Sequence, residues 1–386
     1  MPAILFTRTL TRAALSLSFF TSLCAFPLCA NVASSLDAIV AVGREGQGNE
    51  NASAAWKELV AGGPANLLPI LKASGKGNVV ADNWLRLAAT VIADDATGAK
   101  KTLPMAELEA YLKDTKHTSQ SRLLAFDIIQ HSDATKADVI EPTLLNDPSQ
   151  ELRRGAVQRL INAGKKSAEA KEDAVAKETF GKALDAARDE DQVKVIAEAL
   201  TKLGVEVDLP KHFGFLTNWQ VIGPFDNTKR EGFDAVYPPE KEAKLDAVYD
   251  GKPDDKGQPT KVKWQPFESK QEYGKLDLNK PLGMLKSSTA YALATFNADE
   301  ARDVEIRLGC KNAWKVWVNG EFVFGRDEYH RGQKMDQYKL NAHLQKGANT
   351  ILVKCCQNEQ TEQWTVEWEF QLRVCDATGT AVASAK

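Results

Sequence analysis

The sequence predicts a two-part fold: an N-terminal array of amphipathic α-helices followed by an antiparallel β-sandwich. Three observations carry this reading. Apolar residues recur at the helical period through residues 54–205, and they alternate at the strand period through residues 211–376. The change of period falls within a few residues of Gly204. At 386 residues the chain is long enough for two domains that each bury a core.

In the helical part, "NWLRLAATVI" places Trp84, Leu87, Ala88, Val91 and Ile92 on one face. "ELRRGAVQRLI" does the same with Leu152, Ala156, Leu160 and Ile161. "QVKVIAEALTKLG" repeats the pattern with Val193, Ile196, Ala197, Leu200 and Leu203, and Gly204 supplies a C-terminal stop. Polar residues fill the opposite faces, so each helix buries a single stripe.

The strand part reads as short runs rich in β-branched and aromatic residues: "NWQVIG", "AYALATF", "DVEIRLGC", "AWKVWVNGEFVFG", "DQYKLNAHL", "NTILVKCC" and "WTVEWEFQLRVC". Seven or eight antiparallel strands of this kind suit a sandwich or jelly roll. Between them, "YDGKPDDKGQPTK" is a polar loop. Asn319-Gly320 predicts a two-residue type I′ hairpin, because both turn positions need positive φ. That turn pairs Val318 with Glu321, Trp317 with Phe322 and Val316 with Val323. One face then carries Trp314, Val316, Val318 and Val323, and the other Lys315, Trp317, Phe322 and Phe324. Both faces are apolar, so the hairpin is covered on both sides or offers one face as a platform.

The N-terminus has the pattern of a secretory leader: Arg8 and Arg12, then an apolar run ending in small residues, with cleavage after Ala30 or Ala33. Residues 31–53 read as a linker and 377–386 as a disordered tail. No later stretch approaches the roughly 20 apolar residues of a membrane span. The mature chain is therefore expected to be secreted or periplasmic, with no membrane span, and a retained N-terminal anchor is the alternative. The formal charge is −3, and setting the two leader arginines aside leaves 47 basic against 52 acidic residues. With no basic block, nucleic acid is not an expected partner. Outside the leader are Cys310, Cys355, Cys356 and Cys375. In an oxidising compartment they allow two disulfides with three possible connectivities, and otherwise they serve as small apolar strand residues.

The helical segment resembles HEAT repeats. "IEPTLLNDPSQELRRGAVQRLINAG" matches with Pro142 in the first helix, Asp147 in the turn and Arg153 early in the second helix. Asp114 with Arg122, and Asp189 with Lys194, stand in similar places, at Asp-to-Asp steps of 33 and 42 residues. The resemblance implies a ladder of turn Asp and following basic residue between repeats, and a surface that holds protein partners. An irregular helical bundle is the alternative.

The strand segment is similar to the galactose-binding-like jelly roll, found as the sugar-binding domain of family 2 glycoside hydrolases and in carbohydrate-binding modules. The resemblance rests on the strand ending at Leu308-Gly309, the "KVWVNG" hairpin and "LQKGANTILVK". It also rests on "NWQVIGPFDN" with "FDAVYPPE", a lead-in seen before this domain in secreted proteins of environmental bacteria. Relatives often carry Asp-Asp-Gly before the hairpin, and in a related sandwich an acidic pair there holds calcium. Here Lys311-Asn312-Ala313 stands instead, and Lys has the wrong sign for a cation site.

The resemblance implies a binding protein for carbohydrate or another surface polymer. Trp314 or Trp317 would be the stacking surface, and Arg326, Tyr329, His330 and Arg331 polar contacts in the loop after the hairpin. The structural alternatives are that residues 211–280 cover Trp317, Phe322 and Phe324, and that the loop charges pair with Asp336 and backbone carbonyls. No Gly-x-Ser-x-Gly elbow, phosphate-binding Gly loop or His-Glu-x-x-His motif is present. The five histidines lack metal-ligand spacing, so neither catalysis, a metal nor a cofactor is expected. A protein-interaction scaffold of the cell envelope without sugar affinity is the alternative function.

Overall fold

The computed structural model describes residues 26–76, 78–254 and 256–385. The leader residues Arg8, Arg12 and Cys24 lie outside them. Contacts divide the chain into two compact units, one ending at Val139 and the other beginning at Ile140.

The first unit holds α1 (Phe26–Val40), α2 (Asn49–Ala61), α3 (Leu67–Ala73), α4 (Val79–Gly98), α5 (Met105–Lys113), α6 (Ser119–Ser132) and α7 (Ala134–Ile140), the last reaching the boundary. Residues 31–53, expected as a linker, are helix, turn and helix, and α1 runs through both expected cleavage positions. The physical reason is an apolar helical spacing that continues here: Ile39, Ala52, Ala55 and Leu59 are buried. On α4 the buried stripe is Leu85, Ala88, Ala89, Ile92, Ala93 and Ala96, rotated from the expected face, and Leu87 is 52% exposed. Small alanines let a neighbouring helix approach closely, and this outweighs the bulk of Leu87. Asn78 caps α4 by accepting from Ala81 N, and Thr118 caps α6 by accepting from Ser121 N. Buried Arg122 donates from Nε to Leu112 O at 2.7 Å. Among the described residues no helix is long and apolar enough to cross a membrane.

The second unit begins with α8 (Gln150–Glu169), α9 (Asp173–Ala186), α10 (Glu190–Lys202) and α11 (Leu209–Phe213). The expected faces of α8 and α10 are the packed ones, and Gly204 ends the α10 segment at φ +79°. These helices share their core with the β part. Val157, Phe180, Ile196 and Phe213 form a cluster against which Tyr273 and Met335, from beyond residue 217, also pack. The boundary between units therefore falls inside the helical segment, not at the change of period.

Among the described residues twelve strands come next: β1 (Asn218–Asp226), β2 (Val248–Asp250), β3 (Lys261–Lys263), β4 (Gln265–Glu268), β5 (Leu276–Asp277), β6 (Ser288–Ala298), β7 (Arg302–Cys310), β8 (Ala313–Val318), β9 (Glu321–Arg326), β10 (Tyr338–Leu344), β11 (Gly347–Gln357) and β12 (Glu369–Cys375). They form a six-stranded sheet ordered β4-β1-β6-β11-β8-β9 and a four-stranded sheet ordered β10-β7-β12-β5, with β2 and β3 paired separately. Every one of these pairings is antiparallel. Ile306, Leu308, Phe370 and Leu372 of one sheet meet Trp314, Val316, Ile351 and Val353 of the other in one buried cluster, the core of a β-sandwich. Each such side chain contributes about 1.5–3 kcal/mol by leaving water.

Asn319 (φ +53°) and Gly320 (φ +81°) make the expected turn, with Val318 opposite Glu321 and Trp317 opposite Phe322. Beyond that the register shifts, so Val316 faces Phe324 and Val323 becomes the extra residue of a bulge. The bulge returns Phe324 to the face of Trp314, and the two rings lie 6.0 Å apart.

The outer face of the six-stranded sheet is also covered. Ile222, Phe225, Val262, Trp264, Tyr291, Trp317 and Leu352 form a second cluster, with Tyr237 and Tyr249 packed on it. Lys354 lies fully buried there. Its ammonium donates to Phe233 O (3.0 Å), Ala235 O (2.7 Å) and Glu240 Oε1 (2.8 Å). Burial lowers its pKa, and the Glu240 hydrogen bond works against that. Tyr291 donates to the same Glu240 oxygen, and burial raises the Tyr291 pKa.

Residues 377–385, expected to be disordered, lie along the sandwich. Ala381 bridges Cys375, Val382 is buried, and Ser384 Oγ accepts from Asn297 N at 2.9 Å. Asp376 Oδ1 makes this possible by accepting from Thr378 N (2.8 Å) and Thr380 N (3.0 Å), which folds the chain back.

Candidate functional site

Three loops meet at one end of the sandwich: residues 227–233 after β1, 327–337 between β9 and β10, and 358–368 between β11 and β12. Asn227 anchors them from below. It is fully buried, and its Nδ2 donates to Tyr329 OH at 3.1 Å and to Gln357 O at 3.0 Å. Burial raises the Tyr329 pKa, so the hydroxyl stays protonated through the physiological range. The Arg230 guanidinium lies 5.3 Å from the centre of the Tyr329 ring. The same guanidinium binds Glu359 through Nη2 (2.7 Å) and Nε (3.3 Å). The Arg230 hydrogen bond holds the Glu359 carboxyl below its ordinary pKa.

His330 takes the left-handed region at φ +59°, and its N–H donates to Lys311 O at 2.6 Å. That conformation turns the imidazole toward the third loop, where Nε2 lies 3.1 Å from Asn358 Oδ1. Its ring meets Trp364 edge-on, with centroids 5.1 Å apart. Trp364 itself is 61% exposed. An indole face in water with an imidazole at its edge can stack on the apolar side of a pyranose ring.

The expected site residues separate into two groups. Tyr329 and His330 belong to this cluster, while Arg326 and Arg331 flank it. Their Nε atoms approach Glu328 Oε2 at 3.7 and 3.5 Å, and both side chains are largely exposed. Asp336 is not their partner: it binds Arg373 and Arg307. Trp314 and Trp317 are not the expected stacking surface. Trp314 is fully buried between the sheets, and Trp317 lies under the 227–264 excursion, so neither offers a stacking face. Phe322 and Phe324 stay exposed at 57% and 43%, and Phe322 borders an open groove of about 520 Å³ with Asn341, Ala342 and His343 of β10.

Trp364, Arg230, Asn358 and Glu359 were not identified from the sequence. Trp364 opens the run "WTVEWEFQLRVC" and reads as a strand residue, yet it sits in a single turn, Gln363–Thr365, and β12 starts only at Glu369. The polar run before it, "QNEQTEQ", was the available signal for a loop. The turn Lys311-Asn312-Ala313 is a packing element: Asn312 Nδ2 donates to Gln357 Oε1 and Glu367 O, both at 3.2 Å. Among the described residues no group of three or more His, Cys, Asp or Glu is placed to hold a metal.

No protein-family model and no curated protein matches the chain. Solved structures show weak, partial likeness. The β-glucosidase of Kluyveromyces marxianus is 13% identical over 46% of this chain and 22% of its own, at a TM-score of 0.26. The GH31 α-xylosidase of Xanthomonas citri is 9% identical over 34% of this chain and 17% of its own, at 0.19. The alkylpurine DNA glycosylase AlkC of Pseudomonas fluorescens, bound to DNA with an abasic site analog, is 12% identical over 93% of this chain and 96% of its own, at 0.21. The chain spans about a fifth of the length of the two glycosidases. Likeness at these scores says nothing of activity.

Proposed function

We propose that this is an exported, non-catalytic binding protein whose sandwich, read as a galactose-binding-like jelly roll, takes carbohydrate at the three-loop end. The observation that carries the reading is the exposed Trp364 indole held beside His330, whose imidazole is set by buried Asn358, with Arg230 over the Tyr329 ring of the same loop cluster. The carboxylates Glu328 and Glu359 are engaged by Arg331 and Arg230, which suits binding more than acid–base chemistry. Helices α8 to α10 support a HEAT-like role for partners. The rung between alternate helices uses Arg154, not the expected Arg153 or Lys194: Arg154 Nη1 binds Asp191 at 2.8 Å and lies 3.6 Å from the turn residue Asp189, whereas Arg153 Nη1 donates to Asp147 O within its own turn.

A second reading, an envelope scaffold without sugar affinity, is favoured by the same pairings, since Arg230 with Glu359 and Arg331 with Glu328 also hold the loops together. A glycan-array screen of the full chain, with and without calcium, separates the two. Calcium-independent binding to a defined sugar, lost in Trp364→Ala, supports the carbohydrate reading. A well-folded sample that binds no glycan supports the scaffold.

A further inference from the structure

Cys310 ends β7 of the four-stranded sheet, and Cys355 lies on β11 within the six-stranded sheet. Both side chains enter the core between the layers. Their Sγ atoms are 3.9 Å apart, and the residues are 2% and 0% exposed. The other two thiols are excluded from this contact. Cys356, next along β11, points to the opposite face, where Thr289 Oγ1 donates to its Sγ at 3.4 Å. Cys375 closes β12 beside the C-terminal segment.

We propose that Cys310 and Cys355 are a modification site: they become an inter-sheet disulfide when the chain folds in the presence of a disulfide oxidant. Closing the 3.9 Å contact to a bond of about 2.05 Å asks for roughly 2 Å of sulfur movement, within reach of side-chain rotation. In the first step the thiolate of one cysteine attacks a sulfur of the oxidant R–S–S–R, forming a mixed disulfide and releasing R–S⁻, which takes up the lost proton. The second cysteine displaces the remaining R–S⁻ in the same way. Two protein thiols and one oxidant disulfide thus become one protein disulfide and two R–SH, with two electrons passing to the oxidant.

The surroundings set when this happens. Asn312 O and Glu369 O lie 3.4 and 3.5 Å from Cys310 Sγ, and Trp368 Nε1 donates to Cys355 O at 3.2 Å. A sandwich closed this tightly keeps an oxidant away from both sulfurs, and burial holds the Cys355 thiol protonated. Exchange therefore belongs to the stage before the sheets close. Once formed, the bond is shielded from reductants and spans 45 residues, which restricts the unfolded chain.

The test uses the full chain produced in an oxidising compartment and, in parallel, in a reducing cytoplasm. Each sample is denatured in excess N-ethylmaleimide and mapped by mass spectrometry. The oxidised sample is expected to give a peptide linking Cys310 to Cys355, with Cys356 and Cys375 alkylated. Its melting temperature should exceed that of the reduced sample by roughly 5–10 °C. In Cys355→Ala the two preparations should melt together. Alkylation of Cys310 and Cys355 in both samples, or a link from either to a different cysteine, would overturn the proposal.

Discussion

The imidazole of His330 meets the indole of Trp364 edge-on, with ring centroids 5.1 Å apart and planes at 82°. Trp364 is thereby fixed on one side while its face remains open. A loop tryptophan in water would otherwise have a driving force to fold inward. Trp364→Ala is expected to lower affinity for a bound glycan about tenfold, the share of a stacked ring. Because the side chain is mostly exposed, its melting temperature should stay within about 2 °C of the parent. An equal loss of binding and stability would make Trp364 a structural residue.

Asp336 joins Arg373 (Nε to Oδ1, 2.7 Å) and Arg307 (Nη1 to Oδ2, 2.7 Å) beneath the loop that leads to β10. Burial works to raise its pKa, but the hydrogen bonds and charges of the two arginines prevail, and the carboxyl titrates below its ordinary value. An unfolded Asp titrates near about 3.9. The stabilisation is therefore fully present above that pH and is lost as pH falls through the lower folded value. Asp336→Asn should cost about 3–5 kcal/mol at neutral pH, because it leaves the buried Arg373 guanidinium without its counter-charge, while Arg307 keeps Glu305. In urea titrations from pH 6 to pH 2, the gap between parent and variant should shrink toward acid. A gap independent of pH would contradict this.

Lys354→Met removes the cation that holds Phe233 O, Ala235 O and Glu240 against the sheet. The expected loss is about 3–5 kcal/mol, since Glu240 is left buried without its counter-charge. Hydrogen exchange should accelerate first in residues 233–243, with strands β7 and β12 little affected. Uniform acceleration throughout the sandwich would mean that Lys354 supports the core and not this covering segment.

Gly309→Ala drives a Cβ into the backbone carbonyl oxygen of Lys334. Backbone must move, and the expected cost is about 1–3 kcal/mol by thermal melting. A neutral substitution would show that the 332–336 segment yields freely.

Where local period decides, the sequence was readable. Asn319-Gly320 predicted the hairpin and its first two pairs because the turn itself demands positive φ. The bulge at Val323 left no local mark, since two-against-one pairing depends on how β9 lies over the sheet edge. Trp314 and Trp317 were rightly placed on opposite faces, but their burial depends on a second sheet and on the 227–264 excursion, both far away in sequence. The site was legible in part. "RDEYHR" marked the middle loop, whereas Arg230 and Trp364 join it from positions about 100 residues before and about 30 after. Only the closed sandwich brings them together. The C-terminal tail misled for a related reason, because its Ala, Thr and Ser composition hides one buried Val382 and the Asp376 turn.

The most direct test of a carbohydrate site at the three-loop end is calorimetric titration of the best array glycan into the full chain and into Trp364→Ala. Saturable one-site binding is expected in the parent, with no calcium dependence and at least a tenfold weaker constant in the variant. Equal affinity in the two proteins, or no heat with any glycan, would contradict it.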